Sequence, residues 1–228
     1  MPLGIFQLFP NTNQKRRKQA CNPYNLVLQC STLQLSLITI RSAIVPIKFL
    51  HQQRPYPTRW QHYRRPIATR VPRQWQAWLY DKGSLTQRLV KASAGNFRVQ
   101  VTRNSWGIPS PSERMATGLK PRQTAIIREV QLLCHDRPWV CARSIIPAHT
   151  LKGRQRRFKD IGTKPLGALL FAHPNMQRGA IKVAHLPQRD SAQKHWARRS
   201  VFVLDKQPIL VTEVFLPPMQ YLAPTIRT

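Results

Sequence analysis

The chain has 228 residues, 42% of them hydrophobic, with 37 Lys+Arg against 8 Asp+Glu and a formal charge of +29. That length fits one domain with an extension, or two small domains, and supplies a core of useful size. The charge divides as +7 on residues 1–57 and +22 on residues 58–228, which excludes a basic tail on a neutral domain; charge of this kind bears on solubility and association rather than on fold.

Residues 1–57 read differently from the rest. They hold the basic cluster Lys15-Arg-Arg-Lys18, and Thr32 to Leu50 is apolar but interrupted by Arg41, Pro46 and Lys48. A membrane-spanning helix wants about 20 apolar residues in a row, which these cations break. A secretory signal places its apolar stretch earlier and follows it with a small-residue cleavage site. The region is read as a basic extension, either poorly structured or the product of a start site assigned too far upstream. Residues 58–228 are read as the main folded domain.

Trp75 to Ala92 predicts a helix in two pieces, broken near Asp81-Lys-Gly83, with Pro72 and Ser84 as start signals. Asn96–Arg103 alternates Phe97, Val99 and Val101 like a strand, and Asn104–Gln123 predicts a long loop. Thr124–Cys134 and Trp139–Pro147 predict a hairpin around His135-Asp-Arg-Pro138. A short helix is expected from Pro165, and a strand over Gly179–Leu186. Trp196–Leu204 and Pro208–Leu216 predict a second hairpin around Asp205-Lys-Gln207. Six strands with hairpin connections predict an α+β fold, a six-stranded antiparallel sheet with a few helices packed on it.

Three charges sit on apolar faces of these strands. Glu213 alternates with Ile209, Val211 and Phe215; Arg128 with Ile126, Val130 and Leu132; Arg143 with Trp139, Cys141 and Ile145. Buried charges are costly unless paired or held for chemistry. The hairpin is expected to bring Arg128 and Arg143 to one cavity, where two cations and Glu213 leave a surplus positive charge suited to a carboxylate. An internal Arg–Glu–Arg cluster without a ligand is the alternative. Arg198 and Arg199 fall on alternate faces, so one of them also points inward.

Cys21, Cys30, Cys134 and Cys141 form no CxxC and no zinc-like spacing with histidine, so no metal site is expected and free thiols are. There is no GxSxG, P-loop or GxGxxG motif, and no carboxylate pair of the glycosidase kind.

An ordered set of runs resembles the chorismate pyruvate-lyase (chorismate lyase) family. They are Trp78-Leu79 through Ser84-Leu-Thr-Gln-Arg-Leu89; Arg128-Glu-Val-Gln-Leu-Leu-Cys134; Pro138-Trp-Val-Cys-Ala-Arg-Ser-Ile-Ile-Pro147; Lys164-Pro-Leu-Gly167 with Phe171; Trp196-Ala-Arg-Arg-Ser200; and Thr212-Glu-Val-Phe-Leu-Pro217. The resemblance covers about Thr58 to Tyr221. It implies a cofactor-free lyase that converts chorismate to 4-hydroxybenzoate and pyruvate for ubiquinone biosynthesis, and a product enclosed under flaps. By motif it implies that Arg128 binds the ring carboxylate, Glu213 meets the 4-hydroxyl end, and Leu166 offers a backbone contact. Leu85, where the family often has Met, is a further ligand contact, and Arg143 goes to the enolpyruvyl carboxylate. Thr163-Lys164 stands in reversed order relative to the family pattern.

A cytoplasmic monomer is expected, with chorismate as small-molecule partner and weak association with an anionic membrane surface. Two competing readings stand: a non-catalytic small-molecule-sensing domain of the same fold, and a basic nucleic-acid-binding protein.

Overall fold

The computed structural model describes residues 59–62, 71–187 and 194–221; the readings of residues 1–57, Cys21 and Cys30 lie outside them. In chain order the elements are β1 (Gln61–His62), α1 (Arg73–Leu79), α2 (Leu85–Ala92), β2 (Phe97–Gly107), α3 (Pro111–Thr117), β3 (Ala125–Cys134) and β4 (Arg137–Pro147). After two 3₁₀ turns come α4 (Leu166–Phe171), β5 (Met176–Arg178), β6 (Lys182–Pro187), β7 (Lys194–Leu204) and β8 (Gln207–Phe215).

The eight strands form one sheet in the order β1-β6-β7-β8-β4-β3-β2, with β5 also pairing β7, and every pairing is antiparallel. The six longer strands are those that alternation predicts, and two short ones extend them. The expected Gly179–Leu186 strand is met by β6, which starts at Lys182, and the short β5 precedes it. Between them Gly179 donates its N–H to the Val201 carbonyl at 2.8 Å, and a Cβ there would lie 3.1 Å from that oxygen. Both hairpins turn on two residues with positive φ, His135-Asp136 and Asp205-Lys206, the backbone twist that a two-residue hairpin loop needs.

The two-piece helix is confirmed: Ser84 caps α2, its Oγ accepting from the Gln87 N–H at 3.4 Å. The predicted 104–123 loop is corrected. β2 runs on to Gly107, and Ser110 to Thr117 holds a capping box, with Pro111 starting α3 and Gly118 closing it in the left-handed region. A Ser-x-x-Glu pattern with Pro at the first helical position is a start signal.

One face of the sheet carries Val130, Leu132, Val140 and Phe215, which pack with Trp75, Trp78, Leu85 and Leu89 of α1 and α2. Along the same face Ile126, Ile146, Phe202 and Ile209 pack with Phe158, Leu166 and Leu170. Burying such side chains stabilises by about 1.5–3 kcal/mol each. The other face is covered in part by α3 and the turn after it, where Ala116 and Leu119 pack with Ala125, Ile127, Ile145 and Leu210 of the strands.

Candidate active site

Between the two apolar clusters lies a cavity. Its floor is the middle of the sheet, with Arg128, Ala142, Ser144, Val211, Glu213 and Arg198; its walls are the starts of α2 and α4, at Leu85 and Leu166. Free space inside is about 50 Å³, room for a few water molecules. Four sequence-predicted site residues, Leu85, Arg128, Leu166 and Glu213, therefore meet in one place.

Arg128 is 2% exposed. Its Nη2 donates to the Lys164 carbonyl at 3.2 Å, while Nη1 is buried with no partner among the described residues. Burial pushes its pKa down, since removing water penalises the charged form. The hydrogen bond gives Lys164 a role through its backbone, which its reversed order with Thr163 does not disturb.

Glu213 pairs directly with Ala142 on one side and Arg198 on the other. Arg198, 1% exposed, donates from Nε to Glu213 Oε2 at 2.5 Å and from Nη1 to the carbonyls of Trp78 and Asp81, both at 2.7 Å. The inward-facing member of the Arg198-Arg199 pair is thus Arg198. Arg199 lies on the opposite face, donating to Ser112 Oγ at 2.8 Å, with its guanidinium 4.4 Å from the Trp60 ring centre.

The expectation that Arg143 joins Arg128 is corrected. Register pairs Arg128 with Ser144 and Glu129 with Arg143, so Arg143 and Arg128 point to opposite faces. Arg143 donates from Nε and Nη2 to Glu113 Oε1 and Oε2 at 2.7 and 3.1 Å, and from Nη1 to Glu129. Burial raises the Glu113 pKa, but hydrogen bonds and charge from Arg143 and the Ser110 N–H outweigh it, so its carboxyl ends below the ordinary value. On that face both buried carboxylates are engaged by Arg143, and Arg103 also stands opposite Glu129 in the register.

The cavity side is different. Arg178, which alternation did not reveal because it sits on a three-residue strand, also lines the cavity. Arg128, Arg178 and Arg198 against Glu213 leave two positive charges uncompensated. Anionic ligands fit such a surplus.

Among the described residues no group of three His, Cys, Asp or Glu is placed to hold a metal ion. None of the described helices is long and apolar enough to cross a membrane.

Comparison with known proteins places the chain in a family. The family model described as Chorismate lyase matches residues 58–224. A probable chorismate pyruvate-lyase of Marinobacter nauticus is 40% identical over 140 residues, covering 61% of this chain and 74% of that protein. One of Aromatoleum aromaticum is 38% identical over 178 residues, covering 72% of this chain and 95% of that protein. Among solved structures, PhnF from Mycobacterium smegmatis is 14% identical with a TM-score of 0.45, covering 61% of this chain and 66% of that one. With its match running from residue 58 to residue 224, the chain belongs to the chorismate lyase family.

Proposed function

We propose that residues 58–228 act as a chorismate pyruvate-lyase, converting chorismate to 4-hydroxybenzoate and pyruvate without a cofactor, in the cytoplasm and as a monomer. The observation that carries the proposal is the cavity itself, where a buried guanidinium with an unpartnered nitrogen and a carboxylate share one floor beside a double positive surplus. Chorismate is a dianion whose ring carries one carboxylate and whose ether arm carries the other.

In the reaction the ether bond from the ring to the enolpyruvyl oxygen breaks and the hydrogen on the neighbouring, hydroxyl-bearing ring carbon leaves. The ring becomes aromatic, and the enolpyruvyl fragment gains that hydrogen at its methylene carbon to become pyruvate. Aromatisation supplies the thermodynamic drive, so the protein's task is to hold geometry and shield developing charge. Arg128 is assigned the ring carboxylate, through its unpartnered Nη1. Glu213, fixed by Arg198, is assigned the 4-hydroxyl end. Leu85 and Leu166 press on the ring from the two walls, Leu166 through its backbone as well.

Purified protein incubated with chorismate is expected to release 4-hydroxybenzoate and pyruvate in equal amounts, followed by chromatography and a pyruvate-coupled assay. Folded protein that binds chorismate and releases neither belongs to a sensor, and the proposal falls. The 4-hydroxybenzoate so formed serves ubiquinone biosynthesis in this reading.

A further inference from the structure

The three cavity arginines are not equivalent. Arg198 is committed internally, to Glu213 and to two main-chain carbonyls. Arg128 is assigned to the ring carboxylate above. Arg178 remains. Its Nε donates to Ser200 Oγ at 3.2 Å, and its Nη1 reaches the carbonyls of Lys82, Asp81 and Gly83 at 2.9, 3.3 and 3.4 Å. Among the described residues its Nη2 donates to nothing. The guanidinium lies 5.1 Å from the Phe202 ring centre, on the cavity side of the sheet. The nearby acid, Asp81, is already paired with Arg88 at 3.3 Å.

Register fixes where Arg178 stands relative to Arg128. Arg128 faces Ser144, Ser144 faces Val211, and Val211 faces Ser200. Ser200 is the residue that holds Arg178. The two guanidinium groups therefore enter the cavity from opposite ends of one cross-strand row, with β4 and β8 between them. Adjacent strands are about 4.8 Å apart, so a six-membered ring fits over the middle of the row with an anionic group toward each end. A monoanion bound at Arg128 satisfies one surplus charge and leaves the other.

We infer that Arg178 is the specificity-determining residue that receives the second carboxylate, the one on the enolpyruvyl arm, and so distinguishes the dianionic substrate from its monoanionic aromatic product. This rests on the chorismate reading. Its role is binding of the arm while the ring is held by Arg128, which makes the loss of Arg178 selective for ligands that carry the arm.

The test compares substrate with product in the full chain. In Arg178→Gln the KM for chorismate is expected to rise by about tenfold to a hundredfold, the range for losing a hydrogen bond to a charged group. The Kd of 4-hydroxybenzoate, measured by calorimetry, is expected to stay within about twofold, a change too small to reflect a lost hydrogen bond. Arg178→Lys keeps the charge without the fork and is expected to fall between the two; it carries the test if the Gln variant does not fold. An unchanged KM overturns the inference. So does a parallel loss of 4-hydroxybenzoate binding, which marks Arg178 as a packing residue for the Asp81-Lys82-Gly83 corner. Wild-type protein that releases no pyruvate is a separate result, and it overturns the chorismate reading beneath.

Discussion

Arg198 and Glu213 face each other as paired residues of neighbouring strands, with Nε 2.5 Å from Oε2. The pair fixes the carboxylate in the cavity floor and leaves its position independent of any ligand. Glu213→Gln keeps the shape and a hydrogen-bond acceptor but loses the charge. Its kcat is expected to fall by about 100-fold or more, the lower range for a positioned proton-handling group, with folding unchanged by circular dichroism. Arg198→Lys cannot reach Glu213, Trp78 and Asp81 together. It is expected to lower kcat by about tenfold, consistent with a misplaced catalytic group, and steady-state kinetics read both variants. Wild-type turnover in Glu213→Gln removes this carboxylate from the chemistry.

Arg128 pulls stability and function in opposite directions. It is buried, with one hydrogen bond at 3.2 Å and a nitrogen without a partner among the described residues. Leaving a buried donor unpaired costs about 1–3 kcal/mol. Arg128→Met is therefore expected to raise the Tm of the ligand-free protein by about 2–6 °C while abolishing turnover and 4-hydroxybenzoate binding. Differential scanning fluorimetry with and without product checks it, and a drop in Tm contradicts the assignment of strain to this site.

The ion network on the opposite face has a defined acid limit. Because the Glu113 carboxyl sits below its ordinary pKa, its stabilisation is complete above the unfolded pKa of about 4.3 and is lost as pH falls through the folded value. Glu113→Gln leaves a buried arginine half-paired and is expected to cost about 3 kcal/mol at pH 7. The gap to wild type closes as pH is lowered below the ordinary glutamate range, as followed by urea denaturation at a series of pH values. Turnover of the folded variant stays at the wild-type level, since Glu113 does not line the cavity.

The two described thiols are inert in the folded protein. Burial pushes Cys134 up to about 11, and burial with the charge of Glu129 pushes Cys141 up to about 12. Neither is a thiolate at pH 8, and both are buried. Alkylation at pH 8 followed by peptide mass spectrometry is expected to leave them unmodified until denaturant is added. Rapid labelling of either one under native conditions contradicts the packing described.

Much of this was legible in the sequence because alternation and turn chemistry are local. Glu213 and Arg128 stand out on apolar strand faces, and Ser84 and Pro165 mark helix starts that carry Leu85 and Leu166 to the cavity walls. The misplacement of Arg143 comes from register, which is not local. Reading His135 to Pro138 as a four-residue loop puts Arg143 and Arg128 on one face. The hairpin in fact turns on His135-Asp136, with Cys134 opposite Arg137. The register then shifts by one between Leu132 and Leu133, with Trp139 as the extra residue. Pro138 has no N–H to give the ladder, and a bulge beside it moves every later side chain by one position. Arg178 was missed for another reason: three residues are too few to show a period. Glu113 carried a readable signal, the capping box, hidden inside a segment rich in Pro, Ser and Gly.

The corner between α1 and α2 adds one consequence. Its carbonyls, from Trp78 and Asp81 to Gly83, are held by Arg198 and Arg178, the same guanidinium groups that line the cavity. This corner is a roof resting on charged posts. Whatever neutralises the posts alters how firmly the roof sits, and lifting the roof strips the posts of their only main-chain partners among the described residues. Occupancy below and tightness above are therefore two readings of one set of hydrogen bonds.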